Sequence, residues 1–160
     1  MRFSPDFRPK GVEFVLIGAL AVVAHGHIYT TQDLDVVVPM NAENIRKILA
    51  APDGIDPRQR MEPSRPRLPS TLGQPPFPKH FYVETTLGWI NFLGAVEGAG
   101  SFKEIAARGI TLQLAGHDCR VIGLDDLIAA KRSAGRPKDL AVIPPLLALR
   151  ELRDNPTTRE

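Results

Sequence analysis

Apolar residues first cluster at Val12 to Ile17, a run with little polar interruption. Strands buried on both faces read this way, so this segment predicts a central strand. Gly18 turns it into Ala19 to His25, which is apolar all round and predicts a buried helix closed at Gly26. Gln32 to Val38 alternates instead, placing Asp33 and Asp35 on one face and Leu34 and Val36 on the other. Pro39 ends that strand, and Asn41 caps a helix from Ala42 to Ala50 whose apolar face is Ile45, Ile48 and Leu49. Further along, Phe81 to Thr86 and Trp89 to Leu93 predict two strands joined at Leu87-Gly88. Ser101 and Glu104 have capping-box spacing and start a helix to Arg108. Ile110 to Leu114 and Arg120 to Ile122 form a second hairpin around Gly116-His117-Asp118. A helix from Asp125 through Ala134 closes at Gly135, and Pro137 opens the next at its first position. Pro144-Pro145 interrupts that helix, another runs to about Arg153, and residues 154–160 are expected to fray.

Residues 52–78 break the pattern. Eight of the fifteen prolines fall there, interleaved with Arg58, Arg60, Arg65 and Arg67. Proline fixes φ and removes a donor, so an irregular insertion loop is expected. It reads either as a solvated insertion or as a basic flap over an anionic substrate. At 160 residues the chain is expected to form one domain over residues 1–160.

Composition narrows the setting. A formal charge of +2 over 160 residues is too mild to imply a nucleic-acid surface by itself. One cysteine, Cys119, rules out a disulfide framework and a cysteine zinc cluster. No cleavable signal pattern opens the chain. The longest apolar run, Val15 to Ala24, has ten residues, about half of a membrane span. A cytoplasmic location without membrane association is expected.

The chemistry starts at Asp33-Leu34-Asp35. Two carboxylates aimed from one strand face repel each other unless a cation lies between them, and a hard divalent ion such as Mg²⁺ answers that need. The alternative is a solvated strand edge. The glycine turn at Gly18 could present backbone N–H groups to phosphate, or could be only a tight strand–helix joint. His25 reads as a packed or capping histidine, and His25 and His27 lack the spacing of a metal pair.

These segments carry a resemblance. Ile17-Gly18-Ala19-Leu20-Ala21-Val22, His25-Gly26 and Thr31-Gln32-Asp33-Leu34-Asp35-Val36, followed by Leu124-Asp125-Asp126-Leu127-Ile128-Ala129-Ala130-Lys131 and Arg136-Pro137-Lys138-Asp139, resemble the minimal bacterial nucleotidyltransferases of the DNA polymerase β superfamily, including members related to toxin–antitoxin and abortive-infection systems. The resemblance covers nearly the whole chain outside 52–78. It implies an α+β, nucleotidyltransferase-like fold, a mixed sheet flanked by helices, that binds a nucleoside triphosphate with one or two Mg²⁺. The reaction it implies is transfer of a nucleoside monophosphate to an RNA, protein or small-molecule acceptor, with release of pyrophosphate. A role as a toxin–antitoxin component, with a partner protein encoded nearby, belongs to the same expectation. Carried over by position, Gly18 and Ala19 form the triphosphate turn, Asp33 and Asp35 hold metal, and Lys131 and Lys138 lie near the phosphates. Without the family, Lys131 and Arg132 complement a helix dipole, and Lys138 is a solvated charge.

The chain departs from the family at four places. Asn91 stands where a third catalytic carboxylate is expected; Ala19 replaces a second glycine; Leu20 replaces the small or hydroxyl residue that follows; Tyr29 replaces a frequent arginine. A hairpin loop at Leu87-Gly88 would set Glu84 opposite Asn91, where Glu84 could stand in for the missing acid or simply face solvent. A catalytically degenerate relative, binding nucleotide or a partner without transfer, is therefore a second expectation.

Overall fold

The computed structural model describes residues 11–50 and 55–156. Its centre is a seven-stranded mixed sheet. In chain order the elements are β1 (Val15–Leu16), α1 (Gly18–Ala24), β2 (Asp33–Val37), α2 (Ala42–Leu49), β3 (Arg58–Gln59), a 3₁₀ turn (Ser70–Gly73), β4 (His80–Thr85), β5 (Gly88–Leu93), the small pair β6 (Ala95–Val96) and β7 (Gly100–Ser101), α3 (Phe102–Arg108), β8 (Ile110–Leu114), β9 (His117–Val121), α4 (Leu124–Ala134), α5 (Pro137–Ala141) and α6 (Ile143–Asp154). The strand order is β3-β4-β5-β2-β1-β9-β8. β2 runs parallel to β5 and β1 parallel to β9, while the other neighbours are antiparallel.

β1 is central, as its apolar sequence predicts, although only two residues meet the strand criterion. Val15 and Leu16 are both fully buried. Ile17 continues the pairing by donating its N–H to Asp35 O at 3.0 Å. On β2 the alternation holds: Leu34 and Val36 are buried, Asp33 and Asp35 half-buried.

Local chemistry sets the helix ends. α1 closes in a Schellman arrangement, with Gly26 N–H on Val23 O and His27 N–H on Val22 O. Gly26 takes φ 107°, a value that an L side chain resists. Asn41 caps α2 by accepting from Asn44 N–H at 2.8 Å, and Ser101 and Glu104 form the full capping box of α3. Gly135 ends α4 at φ 62°, and Pro137 stands in the first turn of α5. The β8–β9 turn is Ala115-Gly116, both at positive φ, so β9 begins earlier than the sequence suggests.

The proline-rich insertion differs from expectation. Residues 52–54 lie outside the described residues, but from Ile55 on the segment is a strap laid along the sheet edge. Arg58 pairs with Glu84 and Gln59 with Val83. Gln59 N–H reaches Pro66 O within the strap, and Arg60 N–H reaches Tyr82 O at 3.1 Å. Proline forbids a long ladder, yet a two-residue strand needs few donors.

The β4–β5 register also differs. The hairpin loop is Thr86-Leu87 and not Leu87-Gly88, because Thr85 pairs with Gly88. Gly88 adopts φ 135°, open to glycine, and the Thr85 hydroxyl closes the turn onto Gly88 O at 2.8 Å. Every partner therefore shifts by two. Tyr82 faces Asn91, and Glu84 faces Trp89. The predicted apposition of Glu84 and Asn91 does not form.

Candidate active site

The ladders line up two rows of side chains on one face of the sheet. One row is Tyr82, Asn91 and Asp35; the next is Glu84, Trp89 and Asp33. Directly opposed residues share a face, so the acidic pair of β2 continues into β5 and β4.

Gly18 sits against the first row. A Cβ built on it would lie 2.2 Å from Asp35 Oδ2 and 2.8 Å from Asp35 Cβ. Its φ of 65° is left-handed as well. Both facts demand glycine: the turn into α1 passes so close to Asp35 that no side chain fits. Ala19 follows inside the helix and does not line the cleft.

Two cations, Lys131 and Arg136, act on Asp35. Lys131, in the last turn of α4, is buried, and its Nζ donates to Asp139 Oδ1 at 2.8 Å. Arg136 Nε donates to Asp139 Oδ2. Asp139 is 1% exposed, so a single buried carboxylate holds both cations in place. Burial opposes its ionisation, yet the hydrogen bonds and charges of Arg136 and Lys131 outweigh burial and hold its carboxyl below the usual range. Lys131, Asp139 and Arg136 therefore form a clamp. Lys138 is not part of it: it is exposed and does not line the cleft, whereas Arg136 does.

Between turn and clamp lies a cleft of about 340 Å³, lined among others by Gly18, Asp35, Asn91, Lys131 and Arg136. Such a volume suits a small ligand. Glu97, in the turn between β6 and β7, also lines it. Gly98 beside it approaches α4 so closely that a Cβ would meet Ala129 O at 2.7 Å. Nothing in the sequence marked Glu97. Asp33 does not line the cleft but flanks it on the same sheet face.

Asp35 has a raised carboxyl pKa. Burial is the main cause, partly offset by the hydrogen bond from Asn91; the neighbouring Asp33 charge raises it further, and Lys131 and Arg136 lower it. Asn91 Nδ2 donates to Asp35 Oδ1 at 2.6 Å. Asn91 Oδ1 is buried and has no hydrogen-bond partner. Two kinds of oxygen are thus offered here: the Asp35 carboxylate and the Asn91 amide carbonyl within the cleft, with the Asp33 carboxylate at its flank. They fit a hard divalent cation in donor chemistry. Among the described residues, no group of three or more His, Cys, Asp or Glu converges on one point, so Asn91 is the candidate third protein oxygen.

The strap contributes a residue that sequence reasoning placed only within a basic loop. Arg60 lies over Tyr82 and Trp89, its guanidinium carbon 5.3 Å and 4.9 Å from the two ring centres. Its Nη1 is 3.8 Å from Asp33 Oδ2. Glu84 is engaged elsewhere, by Arg65 and by Trp89 Nε1.

His25 behaves as expected of a packed histidine. Its Nε2 donates to Ile122 O at 2.7 Å, and it caps α1. Among the described residues, no helix is long and apolar enough to cross a membrane. No protein-family model and no curated protein matches the chain.

Proposed function

We propose that this chain is a nucleotidyltransferase-like protein that binds a nucleoside triphosphate with Mg²⁺ and transfers its nucleoside monophosphate to a hydroxyl-bearing acceptor. One observation carries the reading: Gly18, pressed onto Asp35, lines the same cleft as the Lys131–Asp139–Arg136 clamp. Acid and base then share the lining of a space sized for a small ligand. Asp33 and Asp35 would hold Mg²⁺, with Asn91 Oδ1 as a neutral third oxygen; the ion would supply charge neutralisation and Lewis-acid activation. Lys131 and Arg136 bind phosphate oxygens, Arg136 by its planar fork and Lys131 as a point charge. Asp139 keeps both oriented, so little reorganisation accompanies charge development. RNA, a protein or a small molecule serves as acceptor, and a toxin–antitoxin role with a partner encoded nearby fits this chemistry.

A second reading has its own support. Asn91 lacks charge, and its amide donates to Asp35 where a carboxylate would hold metal. A missing unit charge about 4 Å away at an effective dielectric of ~20 is worth on the order of 4 kcal/mol. Felt wholly in the barrier, that is roughly a thousandfold in rate. A degenerate relative that binds nucleotide without transfer has this signature. One experiment separates them. The protein is incubated with Mg²⁺ and each α-labelled triphosphate, with itself, tRNA or lysate as acceptor, beside Asp35→Asn and Asn91→Asp. Label transfer lost in Asp35→Asn supports the transferase. Saturable binding with transfer only in Asn91→Asp supports the degenerate reading. No triphosphate binding by the natural chain sinks both.

A further inference from the structure

Arg60 is placed where a cation bound to Asp33 would have to compete with it. Its side chain is 18% exposed, and its Nη1 is buried without a hydrogen-bond partner. A desolvated guanidinium N–H with no acceptor is costly to keep. What holds it is the pair of ring faces, Tyr82 and Trp89, and an ion pair to Asp33 at 3.8 Å, too long for a hydrogen bond. The strap backbone is fixed independently, by the Arg60 N–H bond to Tyr82 O and by Arg58 opposite Glu84. The side chain can therefore leave without the strap unfolding.

From this geometry we infer that Arg60 is an exchangeable counter-ion: it neutralises Asp33 when no divalent cation is bound and is expelled when one arrives. The inference rests on the metal reading of Asp33 and Asp35. Two carboxylates on one strand face need positive charge nearby. A chain-borne guanidinium supplies it at fixed effective concentration, and a divalent ion on the same oxygen repels it. Occupancy of the site is then set by a competition written into the chain, and the strap has a role beyond covering the sheet edge. The ring stack dissolves when the guanidinium leaves, so the exchange is visible at Trp89.

Trp89 is the single tryptophan of the chain, so its emission reads the exchange directly. The natural protein is titrated with MgCl₂ at constant ionic strength, with KCl as reference and Asp33→Asn as control. A saturable change in Trp89 emission, absent in Asp33→Asn, is expected. In calorimetry, Arg60→Gln should bind Mg²⁺ roughly tenfold more tightly than the natural chain, equivalent to about 1.4 kcal/mol. Its Trp89 emission should no longer respond. Equal Mg²⁺ affinity in the two proteins, or binding without any change at Trp89 in the natural chain, overturns the exchange but leaves the metal site standing. Absence of Mg²⁺ binding in both proteins overturns the exchange together with the metal reading beneath it. The fluorescence arm needs no Arg60 variant, so a poorly folding Arg60→Gln does not remove the test.

Discussion

Asp139→Asn isolates the contribution of the clamp. The substitution keeps size and shape and removes one negative charge from a site that is 1% exposed. Two cations lose their common partner, but unequally. The Arg136 side chain is 61% exposed and can turn to water, whereas that of Lys131 is 10% exposed and cannot easily do so. The cost therefore falls on Lys131. Stranding a buried charge costs about 3–5 kcal/mol, and access to the cleft puts this case near about 3 kcal/mol. For a domain of this size that is a fall of roughly 6–12 °C in melting temperature. Thermal and urea unfolding at pH 7 measure it. Lys131→Met in the Asp139→Asn background should recover part of the loss, because no charge is then stranded. The sign with pH follows from the lowered carboxyl: the Asp139 contribution is fully present above its unfolded pKa of 3.8 and is lost as pH falls through the lower folded value. The gap between natural and variant proteins should thus be constant from pH 7 to about pH 5 and close in stronger acid. A single-mutant loss under about 1 kcal/mol, or a double mutant no better than Asp139→Asn, would refute the clamp argument.

Other expectations follow from the same geometry. Gly18→Ala forces a left-handed residue and a contact at 2.2 Å with Asp35 Oδ2, so it should cost about 2 kcal/mol or more in urea unfolding and weaken Mg²⁺–triphosphate binding in calorimetry; natural stability would contradict the close approach. Asp35→Asn should leave the melting temperature at pH 7 unchanged or raised, since burial makes ionised Asp35 costly at every pH above its unfolded value of 3.8, while Mg²⁺ binding is lost; a large destabilisation would show that its hydrogen bond and cations outweigh burial. Burial lowers the His25 pKa from 6.5, so the unfolded chain takes up a proton that the folded chain refuses. Stability should therefore decline as pH falls through 6.5, and the urea midpoint should drop less between pH 7.5 and 5.5 in His25→Gln than in the natural protein.

The sequence by itself determined the elements whose information is local. Alternation placed Asp33 and Asp35 on one face of β2 and buried Leu34 and Val36, because strand geometry has a period of two. Caps at Asn41, Ser101, Gly135 and Pro137 fixed helix ends through bonds within a few residues. The α+β class was an expectation of the resemblance these segments carry, and the seven-stranded mixed sheet with its helices bears out that coarse class. Register, by contrast, is a pairing between distant strands. One glycine absorbed into β5 moved Glu84 from Asn91 to Trp89, a choice made by the turn bond of Thr85 and the positive φ of Gly88. The cations at the cleft were likewise a tertiary decision. Lys131 and Arg136 point together because Asp139 holds both, and Lys138, adjacent to Asp139 in sequence, is left in solvent. The strap shows the limit most clearly. Its prolines and arginines announced irregular structure, but only packing against Tyr82 and Trp89 could bring Arg60 to Asp33, since a cation–π stack depends on positions that no local pattern encodes.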